Sequence, residues 1–175
     1  MKPYIIFNPN AGSVGDWKIA LARLKELKPI ALRINRRTGD AERWARRACL
    51  SKATNIIVAG GDGTLNEAVN GIGMRTKCLG IGLVPLGTGN DFARTLGLPL
   101  SIEDNIDILP SGKTRSIDMV TVKSRRNRYF VNVSAGGFSG LVNEKMTAEI
   151  KRTWGPLAYV SGRCCRVARA PRLQN

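Results

Sequence analysis

The chain has 175 residues, 43% of them hydrophobic, which is enough for one domain with a core, or for one domain and part of another. Its 28 Lys and Arg against 13 Asp and Glu give a net charge of +15, which indicates an anionic partner, although a solvated basic surface explains the charge equally well. There is no histidine, so Ser–His and Cys–His nucleophilic sites and His-ligated metals are excluded.

Cysteine spacing and hydropathy bear on the compartment. The four cysteines show no metal-ligand spacing and are interpreted as reduced thiols. No apolar run reaches transmembrane length, and no signal peptide precedes the first predicted strand. We therefore expect a cytoplasmic protein without a transmembrane segment, placed peripherally at the inner membrane face if its partner is a membrane.

The first predicted strand, residues 3–7, is short and apolar and ends in a turn rich in breakers, residues 8–13. The side chain of Asn8 and the free amides near Gly12 are candidates for contact with a ligand. A plain Asn-Pro turn without a ligand is the alternative.

Two further predicted elements lie between this turn and the middle of the chain. Asp16 can cap an amphipathic helix that contains Trp17 and stops at Pro29. Residues 30–34 follow as a second strand, and Asp40 can cap the next helix. Six arginines surround that loop and helix, either to help hold phosphates or as a solvated helix face: Arg33, Arg36, Arg37, Arg43, Arg46 and Arg47.

The central turn, residues 60–67, joins a buried strand over residues 55–59 to a helix predicted from Leu65 to Gly71 or Gly73. Its three glycines let backbone amides approach a ligand, and a helix N-terminus favours an anion such as phosphate. Asp62 places a carboxylate among these donors, which implies a nucleotide with Mg²⁺. A tight strand-to-helix turn with no ligand is the alternative.

A third glycine-containing loop, residues 85–94, follows an apolar strand predicted over residues 79–84. It offers the hydroxyl of Thr88, the amide of Asn90 and the carboxylate of Asp91, which either caps the next helix or contributes charge. Loops at the carboxyl ends of parallel strands lie along one edge of a sheet, so the three loops should line one crevice.

Three motifs occur in this order: Asn-Pro-Asn-Ala-Gly at 8–12, Gly-Gly-Asp-Gly-Thr-Leu-Asn-Glu at 60–67, and Pro-Leu-Gly-Thr-Gly-Asn-Asp-Phe-Ala-Arg at 85–94. Together they resemble the diacylglycerol kinase catalytic domain family, which includes bacterial lipid kinases and sphingosine kinases. The third motif is long and specific, whereas the central turn is shared with NAD kinases and loosely with phosphofructokinases. The resemblance covers roughly residues 3–160.

The resemblance implies an ATP-dependent kinase that phosphorylates a lipid hydroxyl, with ATP and Mg²⁺ bound by a phosphofructokinase-like parallel α/β domain. It places these residues at nucleotide-binding positions: Asn8, Pro9, Asn10, Ala11, Gly12, Gly61, Asp62, Gly63, Thr64, Leu65, Asn66, Glu67 and Thr88. Asn35 stands where many members have Thr, and it can still donate and accept. Asp62 is expected to bind Mg²⁺ directly or through water, or to orient the acceptor, and Glu67 to accept from a ribose hydroxyl or to cap backbone.

The resemblance also predicts the domain organisation: a nucleotide-binding domain over residues 1–112, the incomplete start of a β-sandwich domain over residues 113–162, and an atypical basic tail over residues 163–175. A hairpin over residues 115–134 should open the sandwich. Apolar side chains such as Tyr129 should have few partners there, so we expect aggregation or formation of a homodimer. A glycine-rich segment, residues 135–140, and a helix over residues 142–152 should follow. The tail is interpreted as out of frame in a truncated gene product, or as a native disordered tail.

The acidic residues that the family uses for a structural Mg²⁺, and its glutamate base, match nothing in this chain. Three functions therefore stay open: a lipid kinase acting at a membrane surface, an NAD kinase-like enzyme with a soluble substrate, and a nucleotide-binding fragment without activity. The third motif favours the first. Nucleic acid is not expected as a partner, because no aromatic residues alternate with the basic ones.

Overall fold

A computed structural model describes residues 1–12, 17–73, 79–111, 114–122 and 127–131. Over these ranges the strands are β1 (Pro3–Phe7), β2 (Ala31–Ile34), β3 (Asn55–Gly60), β4 (Gly80–Pro85), β5 (Val120–Val122) and β6 (Arg128–Phe130). The helices are α1 (Trp17–Glu26), α2 (Asp40–Cys49), α3 (Asp62–Ile72), α4 (Asp91–Thr95) and α5 (Ile102–Ile108), followed by a 3₁₀ turn at Leu109–Ser111.

Strands β1 to β4 form a parallel sheet in the order β2-β1-β3-β4. The five residues of β1 are all buried, since this strand lies between two neighbours and is covered on both faces. Such burial explains why β1 and β3 are continuous apolar runs rather than alternating ones. The fold class predicted from the sequence, an α/β protein with a parallel sheet, is confirmed.

Alternate side chains of the sheet pack on opposite faces. Ile6 and Val58 lie in register and pack with α2 and α3 in one core cluster. Ile5 and Ile57 also lie in register, and they pack with α1 and α5 in a second cluster on the other face. The sheet therefore holds the ends of its strands in fixed relative positions.

Two predicted helix starts are corrected. Helix α3 begins at Asp62 rather than at Leu65, so the second half of the central turn is the first turn of the helix. Asp40 is the first residue of α2 and does not cap it. Its Oδ2 instead accepts hydrogen bonds from the backbone N–H groups of Arg36 and Arg37, at 3.0 and 3.3 Å, because the preceding loop folds back over the carboxylate.

Antiparallel strands β5 and β6 form the predicted hairpin in shorter form, with Val120 opposite Phe130. Tyr129 was expected to have few partners, and this is wrong. Its ring packs against the core cluster that contains α3, and both backbone polar groups bond to Asn70. The cap at Asp16, the glycine-rich segment, the helix over 142–152 and the tail lie outside the described residues, and the predicted domain boundaries stay predictions.

Candidate functional site

The three predicted loops meet at the carboxyl edge of the sheet. The backbone N–H of Asn8 donates to the carbonyl of Ala59 at 2.8 Å, and that of Leu86 donates to the carbonyl of Gly60 at 3.1 Å. The first residue after β1 and the first residue after β4 thus each hydrogen-bond to the end of β3. As the sequence predicted, the loops line one crevice.

Side chains and glycines hold these loops together. The Nδ2 of Asn8 donates to the buried Oγ1 of Thr64 at 2.8 Å. A Cβ at Gly87 would lie 2.6 Å from the Cα of Gly61, so both positions allow close contact of two backbones. Gly12 has a φ of +73°, a conformation that favours glycine, and the carbonyl of Leu86 leaves no room there for a Cβ atom.

Residues 62–67 form the first turn and a half of α3. Gly63 and Asn66 are exposed, whereas the side chain of Leu65 is buried in the core and its N–H bonds to the carbonyl of Gly61 at 3.1 Å. Glu67 takes the capping role: its Oε2 accepts from the backbone N–H of Ala41 at 3.2 Å. The helix therefore offers unbonded N–H groups to the crevice chiefly near Gly63.

Gly63 differs from the other glycines of the central turn. A Cβ at Gly60 would collide with Thr64, and one at Gly61 would lie 3.0 Å from Gly87, but a Cβ at Gly63 meets no described atom within 4 Å. Its φ is not positive either. Glycine inside a helix costs about 1 kcal/mol relative to alanine. Neither packing nor backbone conformation explains this glycine, whereas a ligand lying against the helix N-terminus would.

Both carboxylate oxygens of Asp62 accept backbone hydrogen bonds. Oδ2 accepts from the N–H of Asp91 and Oδ1 from the N–H of Phe92, each at 3.1 Å. Asp62 therefore caps α4 and joins the second loop to the third. The position of a Cβ on Gly89 would lie 3.6 Å from Oδ2 of Asp62 and 3.6 Å from Oδ1 of Asp91, so the two carboxylates flank the same opening.

Asn90 closes the third loop, a role that the sequence did not reveal. Its Oδ1 accepts from the N–H of Gly87 at 2.8 Å and its Nδ2 donates to the carbonyl of the same residue at 2.6 Å. Asn90 has a φ of +52°, a conformation that Asn tolerates better than most residues, and an Asn among glycines is the signal that indicates it. Thr88, between these residues, is exposed.

Asn35 lies at the end of β2, where its N–H bonds to the carbonyl of Phe7 at 2.7 Å. The residue is 5% exposed, and its Oδ1 is a buried acceptor without a donor among the described residues. Buried polar atoms without partners are rare, and a bound molecule or water is one explanation. This unsatisfied oxygen fits the predicted contact with a ligand.

Pro9, Asn10 and Ala11 complete the first loop. The N–H of Asn10 donates to Oδ1 of Asn8 at 3.0 Å, a local Asx turn. Ala11 also lines a cavity of about 300 Å³ that extends from the first and third loops to Leu100 and Ser101. None of the residues of the central turn lines this cavity, so it adjoins the crevice only at the first and third loops.

The metal ligands of the described residues are few. No group of three or more Cys, Asp or Glu side chains lies together there. Mg²⁺ is commonly held by one or two carboxylates together with substrate phosphates. Asp62 and Asp91 satisfy that requirement only with a phosphate ligand present.

Within the described ranges, no helix has the length and hydropathy needed to cross a bilayer.

The structure is that of an α/β protein in which three loops form a crevice at the carboxyl edge of a parallel sheet. A family model, the diacylglycerol kinase catalytic domain, matches residues 2–122. A diacylglycerol kinase of Staphylococcus epidermidis is 37% identical over 159 residues, covering 89% of this chain and 49% of the relative. One of Staphylococcus haemolyticus is 38% identical over 162 residues, with 89% and 47% covered.

A crystal structure of a diacylglycerol kinase from Bacillus anthracis superposes with a TM-score of 0.59 at 32% identity, over 67% of this chain and 44% of the other. The chain belongs to the diacylglycerol kinase catalytic domain family, as its motifs indicated. It spans about half the length of the relatives that it matches.

Proposed function

We propose that this chain provides the nucleotide-binding part of an ATP-dependent lipid kinase, which transfers a phosphoryl group to the hydroxyl of a diacylglycerol-like or sphingoid lipid. Family membership supports the reaction class, and the relatives named diacylglycerol kinase support the substrate class. The observation that carries the nucleotide part is Gly63, a helix-terminal glycine that the protein itself does not require.

ATP fits the donors of the crevice. Amides at the N-terminus of α3, near Gly63, would bind phosphate oxygens, and the turn at Gly12 would bring further amides to the same anion. The unsatisfied Oδ1 of Asn35 would accept from a hydroxyl or amino group of the nucleotide. Phosphoryl transfer depends mainly on such positioning and on charge neutralisation.

Magnesium fits less completely. Asp62 and Asp91 are the described carboxylates that flank the crevice opening, and both oxygens of Asp62 already accept amides. Each oxygen retains a lone pair, so Asp62 can contact Mg²⁺ directly or through water when phosphates supply the other ligands. Asp62 and Asp91 would hold the ion, which would supply neutralisation of the phosphate charge.

A Gly63→Ala substitution tests the nucleotide site. We expect the free energy of unfolding to stay the same or rise by up to about 1 kcal/mol, since alanine favours helix. ATP affinity should fall at least about tenfold, because the methyl group occupies the approach to the amides. Gly80→Ala is the matched control, since it lies at the opposite end of β4 and faces only the side chain of Asn55. Unchanged ATP affinity in Gly63→Ala would remove α3 from the site.

Substrate identity needs a separate assay. The chain is incubated with MgATP and diacylglycerol, a sphingoid base or NAD, alone and fused to the remaining part of a relative. We expect lipid phosphorylation chiefly by the fusion, because the family's base matches nothing in this chain. Phosphorylation of NAD alone would favour the soluble-substrate alternative, and robust turnover by the chain alone would place the base among its own residues.

A further inference from the structure

Cationic side chains from α2 and from β2 surround the indole ring of Trp44, which lies on α2. The guanidinium carbons of Arg33, Arg43 and Arg47 lie 5.6, 4.3 and 5.1 Å from the ring centroid of Trp44. Leu50, at the C-terminal end of the same helix, is 81% exposed. We call these five residues the Trp44 surface.

Charge on this surface is only partly neutralised. Arg43 pairs with Asp40 at 3.1 Å, and the nearby Glu42 pairs with Arg46 and Arg128, at 3.0 and 3.1 Å. Arg33 and Arg47 form no ion pair within the described part of the chain. Their attraction to the indole ring holds the two cations in place without cancelling their charge.

The Trp44 surface is fixed rigidly to the crevice. Asp40 accepts from the backbone N–H groups of residues 36 and 37, and Glu67, in the second turn of α3, accepts from the N–H of Ala41. Helix α2 is therefore joined at its N-terminus to the helix whose own N-terminus forms the candidate nucleotide site. A partner bound at the Trp44 surface would therefore contact the element that is hydrogen-bonded to the start of α3.

We propose that the Trp44 surface docks this protein onto an anionic lipid bilayer. Arginine attracts anionic headgroups, while Leu50 adds an exposed apolar side chain that can enter the interface. Nucleic acid fits less well, since guanidinium groups occupy the surroundings of the ring on which a base would stack. A free anion also fits less well, because the guanidiniums are spread around a ring instead of converging on one point.

The inference rests on the proposed function in one respect: a lipid kinase must reach a substrate that lies in the bilayer. The docking surface and the crevice are nevertheless separate groups of residues, so they can be tested separately. Vesicle binding is measured without nucleotide, and ATP binding is measured without lipid.

The experiment compares two charge-matched variants of the full chain, Arg33→Gln/Arg47→Gln and Lys18→Gln/Lys25→Gln. The second pair lies on α1, which packs on the opposite face of the sheet. Co-sedimentation is measured with vesicles of phosphatidylcholine plus phosphatidylglycerol, and with phosphatidylcholine alone. Each basic residue near an anionic bilayer raises the partition coefficient about fivefold. We therefore expect vesicle partitioning to fall roughly 25-fold in Arg33→Gln/Arg47→Gln and less than about threefold in Lys18→Gln/Lys25→Gln.

Further measurements keep the result decisive. Leu50→Ser, which leaves the charge unchanged, should also lower partitioning, and ATP affinity should be unchanged in all three variants. Three outcomes would overturn the proposed docking surface. Vesicle partitioning could fall equally in the two charge variants, or it could stay unchanged in the arginine pair. The wild-type chain could also bind duplex RNA but not vesicles. A wild-type chain that binds vesicles but not ATP would instead contradict the proposed function.

Discussion

The side-chain amide of Asn70 pairs with the backbone of Tyr129 as a second peptide group would. Its Nδ2 donates to the Tyr129 carbonyl at 2.8 Å, and its Oδ1 accepts from the Tyr129 N–H at 3.0 Å. Asn70 lies on α3 and Tyr129 on β6, 59 positions apart in the sequence. The pair therefore attaches the hairpin to the helix that begins the candidate nucleotide site.

Asn70→Ala removes both hydrogen bonds to Tyr129, together with the bond from Asn70 Nδ2 to the Asn66 carbonyl at 2.8 Å. At about 1 kcal/mol for each of the two bonds to Tyr129, we expect the free energy of unfolding to fall by at least about 2 kcal/mol. Native-state hydrogen exchange should show the Tyr129 amide losing protection first, while the amides of β3 keep theirs. Equal loss of protection at both places would show instead that the hairpin and the sheet unfold as one unit.

Gly12→Ala should disturb the first loop. The added Cβ would clash with the carbonyl of Leu86, and a φ of +73° is strained for alanine. We expect a loss of about 1–3 kcal/mol in the free energy of unfolding, together with weaker ATP binding. Denaturant titration beside Gly63→Ala checks this, because that substitution meets neither obstacle. A wild-type unfolding midpoint in Gly12→Ala would show that the loop adapts at no cost.

Substitution of Asp62 separates capping from cation binding. The bonds that Asp62 accepts from Asp91 and Phe92 imply that Asp62→Ala lowers the free energy of unfolding by about 1 kcal/mol, as is typical of a lost cap. Asp62→Asn keeps one acceptor and should lose less. We expect both variants to bind ATP with a smaller response to Mg²⁺, measured by calorimetry. A full Mg²⁺ response in Asp62→Asn would leave Asp62 as a cap alone.

Asn35 should tolerate substitution in the free protein. Because its Oδ1 has no described donor, Asn35→Thr should change the free energy of unfolding by less than about 1 kcal/mol. Thr keeps a polar group for the nucleotide, so ATP affinity should stay within a few-fold, whereas Asn35→Leu should lower it about tenfold or more. Equal affinities for Thr and Leu variants would show that no ligand contacts this position.

Asp40 gives stability a dependence on acid pH. The pKa of Asp40 is lowered from its ordinary value of 3.8, chiefly because its carboxylate accepts from the N–H of Arg36. Burial of the carboxylate opposes this shift. The N–H of Arg37 and the positive charges of Arg43 and Arg37 lower the pKa further. A lowered carboxyl pKa means that the stabilisation is complete above the unfolded pKa and is lost as pH falls through the folded pKa. The stability difference between wild type and Asp40→Asn should be constant near neutral pH and should shrink below about pH 4. A difference that does not change on acidification would contradict this.

The sequence predicted the sheet well because its signals are local and strong. Apolar runs such as residues 55–59 have the length and composition of buried strands, and the glycines after them mark where the chain turns. Parallel pairing then brings the three loops to one edge whatever their detailed conformation. The short helix α5 was missed, although Ser101 and Asp104 form a recognisable cap, with the Asp104 N–H donating to Ser101 Oγ at 3.4 Å.

Polar side chains at the site were predicted less well, because their partners are distant in sequence. Asp62 caps a helix 29 positions away, and Glu67 reaches back 26 positions to Ala41. A single sequence shows only that such residues can cap something. Which amide each of them takes depends on how the loops approach one another, and only the packed structure determines that approach.

The bonds that close the crevice also impose an order of formation. The hydrogen-bond partners of Asn8 are Ala59 and Thr64, that of Gly60 is Leu86, and one partner of Asp62 is Phe92. In each pair, the second residue is synthesised later than the first. Parallel strands cannot form these pairs through local hairpins. On the ribosome, the third loop can therefore join the other two only after the chain has emerged beyond residue 92, so the complete crevice forms late.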